Sequence, residues 1–211
     1  VQEFKGRKDH AQYITRGIQV ENNFIKTAKE HGYTVEIADD NTNIYKHIDL
    51  YLTKDNKTVS IDVKARRTGN RQRVFDDAWI VVEFLNTIGK KGWLYGDCDY
   101  FVFEREHDYV WCYAKELVEL TDKVVDKNTR VESYRDANYK TWGRKHQGKQ
   151  DLISRIEMSL ILNLNKTFIM NKHLDNNVKP CNNSIINKQK RNINMSIIQG
   201  TANWAHIIKP N

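Results

Sequence analysis

The chain has 211 residues, a formal net charge of +7 and an isoelectric point of about 9.2, a balance that favours a polyanionic partner. No apolar run near either end is long enough for a signal peptide or a membrane span. Cys98, Cys112 and Cys181 form no disulfide framework and no Cys-X-X-Cys pair, which disfavours a secreted scaffold or a structural zinc and suits a reducing cytosol.

In chain order, the first clear element is a helix over residues 15–32. Ile18, Phe24, Ile25 and Ala28 give it a mostly apolar stripe, and Gly32 is a fitting terminator. Glu21 lies three residues before Phe24, beside the buried face. A strand over residues 33–38 follows, and then two alternating strands, 47–53 and 57–64. Ile48, Leu50 and Leu52 fall on one face of the first, with His47, Asp49 and Tyr51 opposite. Val59, Ile61 and Val63 share a face of the second, with Ser60, Asp62 and Lys64 opposite. Lys54-Asp55-Asn56-Lys57 has the chemistry of a tight turn with Asp55 and Asn56 at its corners.

Those corners set the register. Cross-strand partners then have numbers with a constant sum, and Asp49 lands opposite Asp62 with Cβ atoms about 5 Å apart. Two like charges face to face destabilise a sheet unless positive charge stands between them. Lys64, one pleat along, supplies part of it, and a divalent metal would supply the rest. Asp-X-Lys on a strand also arises by chance on solvated hairpins. The register match with Asp49 and the preceding helix with Glu21 favour a site.

Further on, residues 78–85, 99–104 and 109–114 read as strands, and 115–120 as a short helix. Residues 151–160 read as a longer helix with Leu152, Ile153, Ile156 and Leu160 on one face. Residues 87–97 form a glycine-punctuated loop. Trp93 and Tyr95 there either stack on DNA, with Lys90 and Lys91 on phosphates, or Trp93 caps the core. Glu83 either reaches the acidic pair or is a structural glutamate at an exposed edge. Arg66, Arg67, Arg71 and Arg73 follow directly from the acidic strand, in a segment with Gly69 and Asn70. They read as a grip on a phosphate backbone, with a solvated loop as the alternative. Arg144, Lys145, His146, Gln147 and Lys149 are a weaker group of the same type.

Residues 1–165 thus make one domain, and residues 166–211 an Asn- and Lys-rich tail, disordered or loosely docked. Asn, Lys and Ile are what AT-rich codons encode. The tail, with a fresh start at Met195 and with Val1 in place of a starting Met, reads as translated intergenic DNA running into a neighbouring gene, as in a compact phage-like or metagenomic genome. The cytoplasm of a bacterial or phage-infected cell is the expected location.

Other chemistries find less support. The seven histidines are scattered without a helical ligand spacing. Gly89-Lys-Lys-Gly-Trp is too short for a phosphate loop and lacks the Ser or Thr after its lysine, and no Gly-X-Ser-X-Gly elbow occurs.

The order of helix with Glu21, Asp49, and Asp62-Val63-Lys64 on a strand resembles the PD-(D/E)XK nuclease superfamily. That superfamily includes restriction enzymes, phage endonucleases and Holliday-junction resolvases. The likeness covers about residues 13–66, and more weakly onward to about 120. Ile48 stands where the proline of the motif would be, and the segment after Lys64 does not read as the usual helix. The resemblance implies an α/β fold of restriction-endonuclease-like core, a mixed central β-sheet flanked by helices. It implies DNA as partner, magnesium (or manganese) as cofactor and hydrolysis of phosphodiester bonds, and leaves a homodimer open. Asp49, Asp62 and the Val63 carbonyl would hold the metal, and Glu21 a metal-bound water or second metal. Lys64 would orient the attacking water or steady the phosphate. The alternative from another class is a nuclease-fold module that binds nucleic acid or a protein without cutting. The intact acidic pair with Lys64 argues against it.

Overall fold

In a computed structural model of the chain, residues 6–67, 75–143 and 150–173 are described, with side chains from Thr15 onward. All fall in one compact unit bounded at Leu174. Helix α1 (Gly6–Glu30) leads into β1 (Thr34–Ile37), α2 (Asp40–Lys46), and the hairpin β2 (Leu50–Lys54) and β3 (Lys57–Lys64). Then come β4 (Trp79–Leu85), a 3₁₀ turn (Trp93–Tyr95), β5 (Tyr100–Glu104), β6 (Asp108–Tyr113) and α3 (Ala114–Val124). The rest is β7 (Asp126–Arg130), a second 3₁₀ turn (Tyr134–Asp136), β8 (Lys140–Thr141), β9 (Leu152–Glu157), α4 (Met158–Leu162) and β10 (Thr167–Asn171).

The molecule is of the mixed α/β class, with a central mixed sheet flanked by helices. Six strands lie in the order β1-β2-β3-β5-β6-β10. The β3–β5 pair is parallel and the other neighbours are antiparallel. Asp55 and Asn56 both have positive φ, 51° and 58°, as a two-residue turn matched to strand twist requires. The hairpin register runs from Lys54↔Lys57 to Leu50↔Ile61, as the turn chemistry predicts. Strand β3 is central and buried on both faces. One face meets α1 through Val20, Phe24 and Ala28, three positions four residues apart that form one helical stripe. The other meets a larger cluster holding Phe101, Phe103, Trp93, Leu117 and Ile156.

Helix α1 ends as expected at Gly32, whose φ is 82°. The Tyr33 N–H donates to Ala28 O and Gly32 N–H to Lys29 O, both at 3.0 Å, which satisfies the last carbonyls.

Several expectations need correction. Ile18 is 54% exposed, and the buried stripe of α1 runs through Val20 instead. Ile48 belongs to the cluster opposite Leu50 and Leu52. His47 adopts a left-handed conformation (φ 53°, ψ 51°) to close α2, so the alternation of β2 begins only at Leu50. Residues 152–157 form a strand, not a helix, paired antiparallel with β4, and only Met158–Leu162 is helical. The spacing of Leu152, Ile153 and Ile156 suits either element, and pairing with β4 decides it. The sheet also takes in β10 past residue 165, with Met170 buried and Phe168 stacked on Trp111 at 4.8 Å. Arg71, Arg73, the group at 144–149 and the chain after residue 173 lie outside the described residues.

A chain ended after Asn165 should therefore melt lower than one ended after Leu174. Losing β10 removes Phe168 and Met170 from the core, a loss of about 3 kcal/mol or more, which at about 2–4 °C per kcal/mol is a drop of roughly 6–12 °C. Equal melting temperatures by calorimetry would show that β10 contributes nothing.

Candidate active site

The end of β3 gathers residues from α1, the α2–β2 junction and β3 itself. Asp49 stands one residue beyond the last rung of the hairpin. Its N–H donates to Ile61 O at 2.9 Å, and its Oδ2 accepts from the Val63 N–H at 2.7 Å. A side-chain oxygen thus satisfies a strand donor that the shortened ladder leaves free. Asn43 Nδ2, on α2, donates to Asp49 Oδ1 at 2.7 Å.

Asp62 is 2% exposed. Its Oδ1 meets Lys64 Nζ at 2.5 Å, while its buried Oδ2 has no hydrogen-bond partner. Burial raises the Asp62 carboxyl well above the ordinary range and Asp49 adds to the rise, against the pull of Lys64. Burial and then Asp49 push Glu21 from its ordinary 4.5 to about 7, with Lys64 opposing. Asp49 and Lys64 therefore act on both Glu21 and Asp62.

The second support comes from the loop after β4. Lys64 Nζ lies 4.8 Å from the Trp93 ring centroid, and Trp93 is itself buried, edge-on to Phe101 at 4.9 Å. Trp93 thus caps the core, and Tyr95, half-buried, accepts from Lys127 Nζ at 3.3 Å. Neither is presented for stacking on a base. Glu83 is half-buried rather than exposed at an edge. Its Oε2 accepts from the Trp93 N–H at 3.5 Å, and burial raises its carboxyl while Trp93, Lys64 and Arg67 draw it down. His47 also faces the site: burial and Lys64 lower its pKa, against Asp49 and Asp97. Cys98 is buried beside it, and its thiol is pushed up by burial and then by Asp62.

The basic residues separate into two kinds. Arg66 is turned inward, with its side chain 12% exposed. Its Nε meets Asp77 Oδ1 at 2.6 Å, its Nη2 meets Glu106 Oε2 at 3.6 Å, and its guanidinium lies over Phe75 at 4.6 Å. Arg66 is thus held in an ion pair within the fold. Arg67, Lys90 and Lys91 are exposed.

Among the described residues no group of three or more His, Cys, Asp or Glu side chains is arranged to hold a metal ion. The donor set nevertheless fits a hard divalent cation that keeps most of its waters. The orphaned Asp62 Oδ2 is an oxygen acceptor without a donor, and the Asp49 carboxyl oxygens retain acceptor capacity beyond their two hydrogen bonds. Sequence reasoning missed Asn43, His47 and the Trp93 contact with Lys64. The run Asp39-Asp40-Asn41-Thr42 is a helix-start signal that would have revealed α2, since Asp39 Oδ1 accepts from the Thr42 N–H at 3.0 Å.

Among solved structures the chain is similar to that of a bacterial homing endonuclease, I-Ssp6803I, at 14% identity and a TM-score of 0.37. The match covers 50% of this chain and 71% of that one. No protein-family model and no curated protein matches the chain. No helix among the described residues is long and apolar enough to cross a membrane.

The raised Glu21 carboxyl ties stability to pH. In EDTA its contribution is fully present below its ordinary 4.5 and is lost as pH rises through about 7. Glu21→Gln should flatten part of the fall in melting temperature across that window and melt higher than the parent at pH 8. An unaltered pH slope would place Glu21 in solvent.

Proposed function

We propose that this chain is a magnesium-dependent DNA endonuclease of the PD-(D/E)XK kind, hydrolysing phosphodiester bonds at the end of β3. The observation that carries this reading is the buried Asp62 carboxylate, with one oxygen on Lys64, the other without a donor, and Asp49 beside it. A buried carboxyl with one oxygen left without a donor is costly, and such arrangements cluster at functional sites. In support, Asp49 and Lys64 bear on the ionisation of both Glu21 and Asp62, the two carboxyls that the sequence resemblance groups with them.

Asp49, Asp62 and the Val63 carbonyl would hold magnesium (or manganese), with Glu21 toward a metal-bound water. Bound there, the cation supplies charge for the phosphorane-like transition state and acidifies water. Asp49 is held at both oxygens, by Asn43 and by Val63 N–H, so its direction is set before substrate arrives. Lys64 is steadied by Asp62 and by the Trp93 ring, and is 25% exposed, enough to meet a phosphate oxygen or the attacking water. Arg67, Lys90 and Lys91 supply exposed positive charge for the phosphate backbone.

Supercoiled plasmid should be nicked or linearised with magnesium and not with EDTA. Asp62→Ala and Lys64→Ala should each abolish cleavage while gel-shift binding in calcium survives, because calcium fills an oxygen site but rarely supports the chemistry. Parent-level turnover in Asp62→Ala would overturn the reading.

Charge reversal at Arg67, Lys90 and Lys91 should weaken binding to all sequences alike. The salt slope should fall by about one for each phosphate that is no longer neutralised. Arg66→Ala should instead lower the melting temperature by several degrees, because Asp77 and Glu106 lose their partner. A salt slope equal to that of the parent would show that these residues face away from DNA.

A further inference from the structure

Asn43 sits on a seven-residue helix and has no place in the Asp-X-Lys pattern, yet it reaches the site. Its Nδ2 donates to Asp49 Oδ1 at 2.7 Å, across only six residues of chain. The amide nitrogen, and not the amide oxygen, faces the carboxyl, so Asn43 donates and Asp49 accepts. The Val63 N–H holds the other oxygen of Asp49 at 2.7 Å. Two donors from two different elements, α2 and β3, therefore fix the plane of one carboxylate and leave its remaining lone pairs directed away from both.

Helix α2 is itself anchored at each end. Asp39 caps its start through the Thr42 N–H and hydroxyl, at 3.0 and 2.7 Å. At its other end the Asp97 N–H donates to Lys46 O at 2.8 Å, and Gly96 packs so closely that an added Cβ would lie 2.7 Å from His47 Cβ and 2.9 Å from Lys46 O. Asn43 is thus presented from a fixed platform and not from a loose turn. Its side chain buries nothing, since α2 contributes no buried residue to the core. A stability role alone leaves the contact without a purpose.

We infer that Asn43 is a positioning residue for the proposed metal centre, orienting Asp49 as a ligand. This rests on the endonuclease reading above. Outer residues that orient metal ligands typically affect metal affinity or activity by about 10–100-fold, and Asn43 has the geometry for that role.

The test uses the full chain, Mn²⁺ alone as the probe, and the variants Asn43→Ala and Asn43→Leu. Alanine favours the helix and leucine keeps the volume, while both lack the donor. Manganese affinity is measured by calorimetry and by the rise in melting temperature, the fold is checked by the melting temperature in EDTA, and plasmid cleavage gives kcat and KM. Asp62→Ala is run alongside. The expected result is at least about a 10-fold loss of manganese affinity, with the EDTA melting temperature retained, kcat lowered at limiting metal and KM for plasmid unchanged. If one variant melts low in EDTA, the other carries the test. Manganese affinity within twofold of the parent in a folded variant would overturn the role of Asn43 while leaving the endonuclease reading intact. A parent that binds no manganese, or an Asp62→Ala variant that binds and cuts like the parent, would overturn the endonuclease reading and this inference with it.

Discussion

Asp62 lies at 2% exposure on a strand packed on both faces, and a carboxylate in that position conflicts with its surroundings. Burial disfavours its charge, Asp49 disfavours it further, and Lys64 offsets only part of both effects. The other oxygen of Asp62 has no donor, in a protein where the neighbouring Asp49, Asp99 and Glu104 carboxylates are all supplied with donors. The arrangement is stable only because the two apolar clusters on either side hold β3 in place whatever the state of Asp62. Removal of the sheet's packing, not of a surface charge, is what would release the site.

The same packing determines which charges are available to a ligand. Glu104, buried like Asp62, takes Arg16 at 2.7 Å, Lys172 at 3.1 Å and the Arg66 N–H at 3.1 Å. With cations from α1 and the segment after β10 and a backbone N–H from just past β3, Glu104 is a closed structural centre. Asp62 has one cation and a spare oxygen, and is open. Two buried carboxylates on adjacent strands thus have opposite characters, and donor supply alone distinguishes them.

The half of the site on residues 21–64 was legible in the sequence because short-range rules govern it. A two-residue turn with left-handed corners fixes hairpin register, and register places Asp49 beside Asp62. A helix one turn from its buried stripe carries Glu21. The failures arise where distant partners decide. Leu152, Ile153 and Ile156 match a helix as well as a strand until β4 is known to lie beside them. The ion pair of Arg66 is hidden for the same reason, since Asp77 and Glu106 come from later in the chain. Phe168 and Met170 are hidden by Asn- and Lys-rich neighbours, although the open edge of β6 pairs with them. Ile48 defeats the alternation because a left-handed His47 precedes it.

The supporting half of the site, residues 83–98, carries no acidic motif and could not be found by looking for one. Its logic is steric. An added Cβ at Gly92 would lie 2.3 Å from Glu83 O, so only glycine lets the loop turn back against β4. That turn brings the Trp93 N–H to Glu83 and sets the Trp93 ring beneath Lys64. Three residues on, Gly96 allows the same loop to press on Lys46 and His47, the end of the helix that carries Asn43. Two close approaches in one short loop thus join β4, the lysine of the Asp-X-Lys strand and the helix beside Asp49. The charged residues determine what the site can bind, and these glycine contacts determine that its lysine and its outer aspartate are held at once.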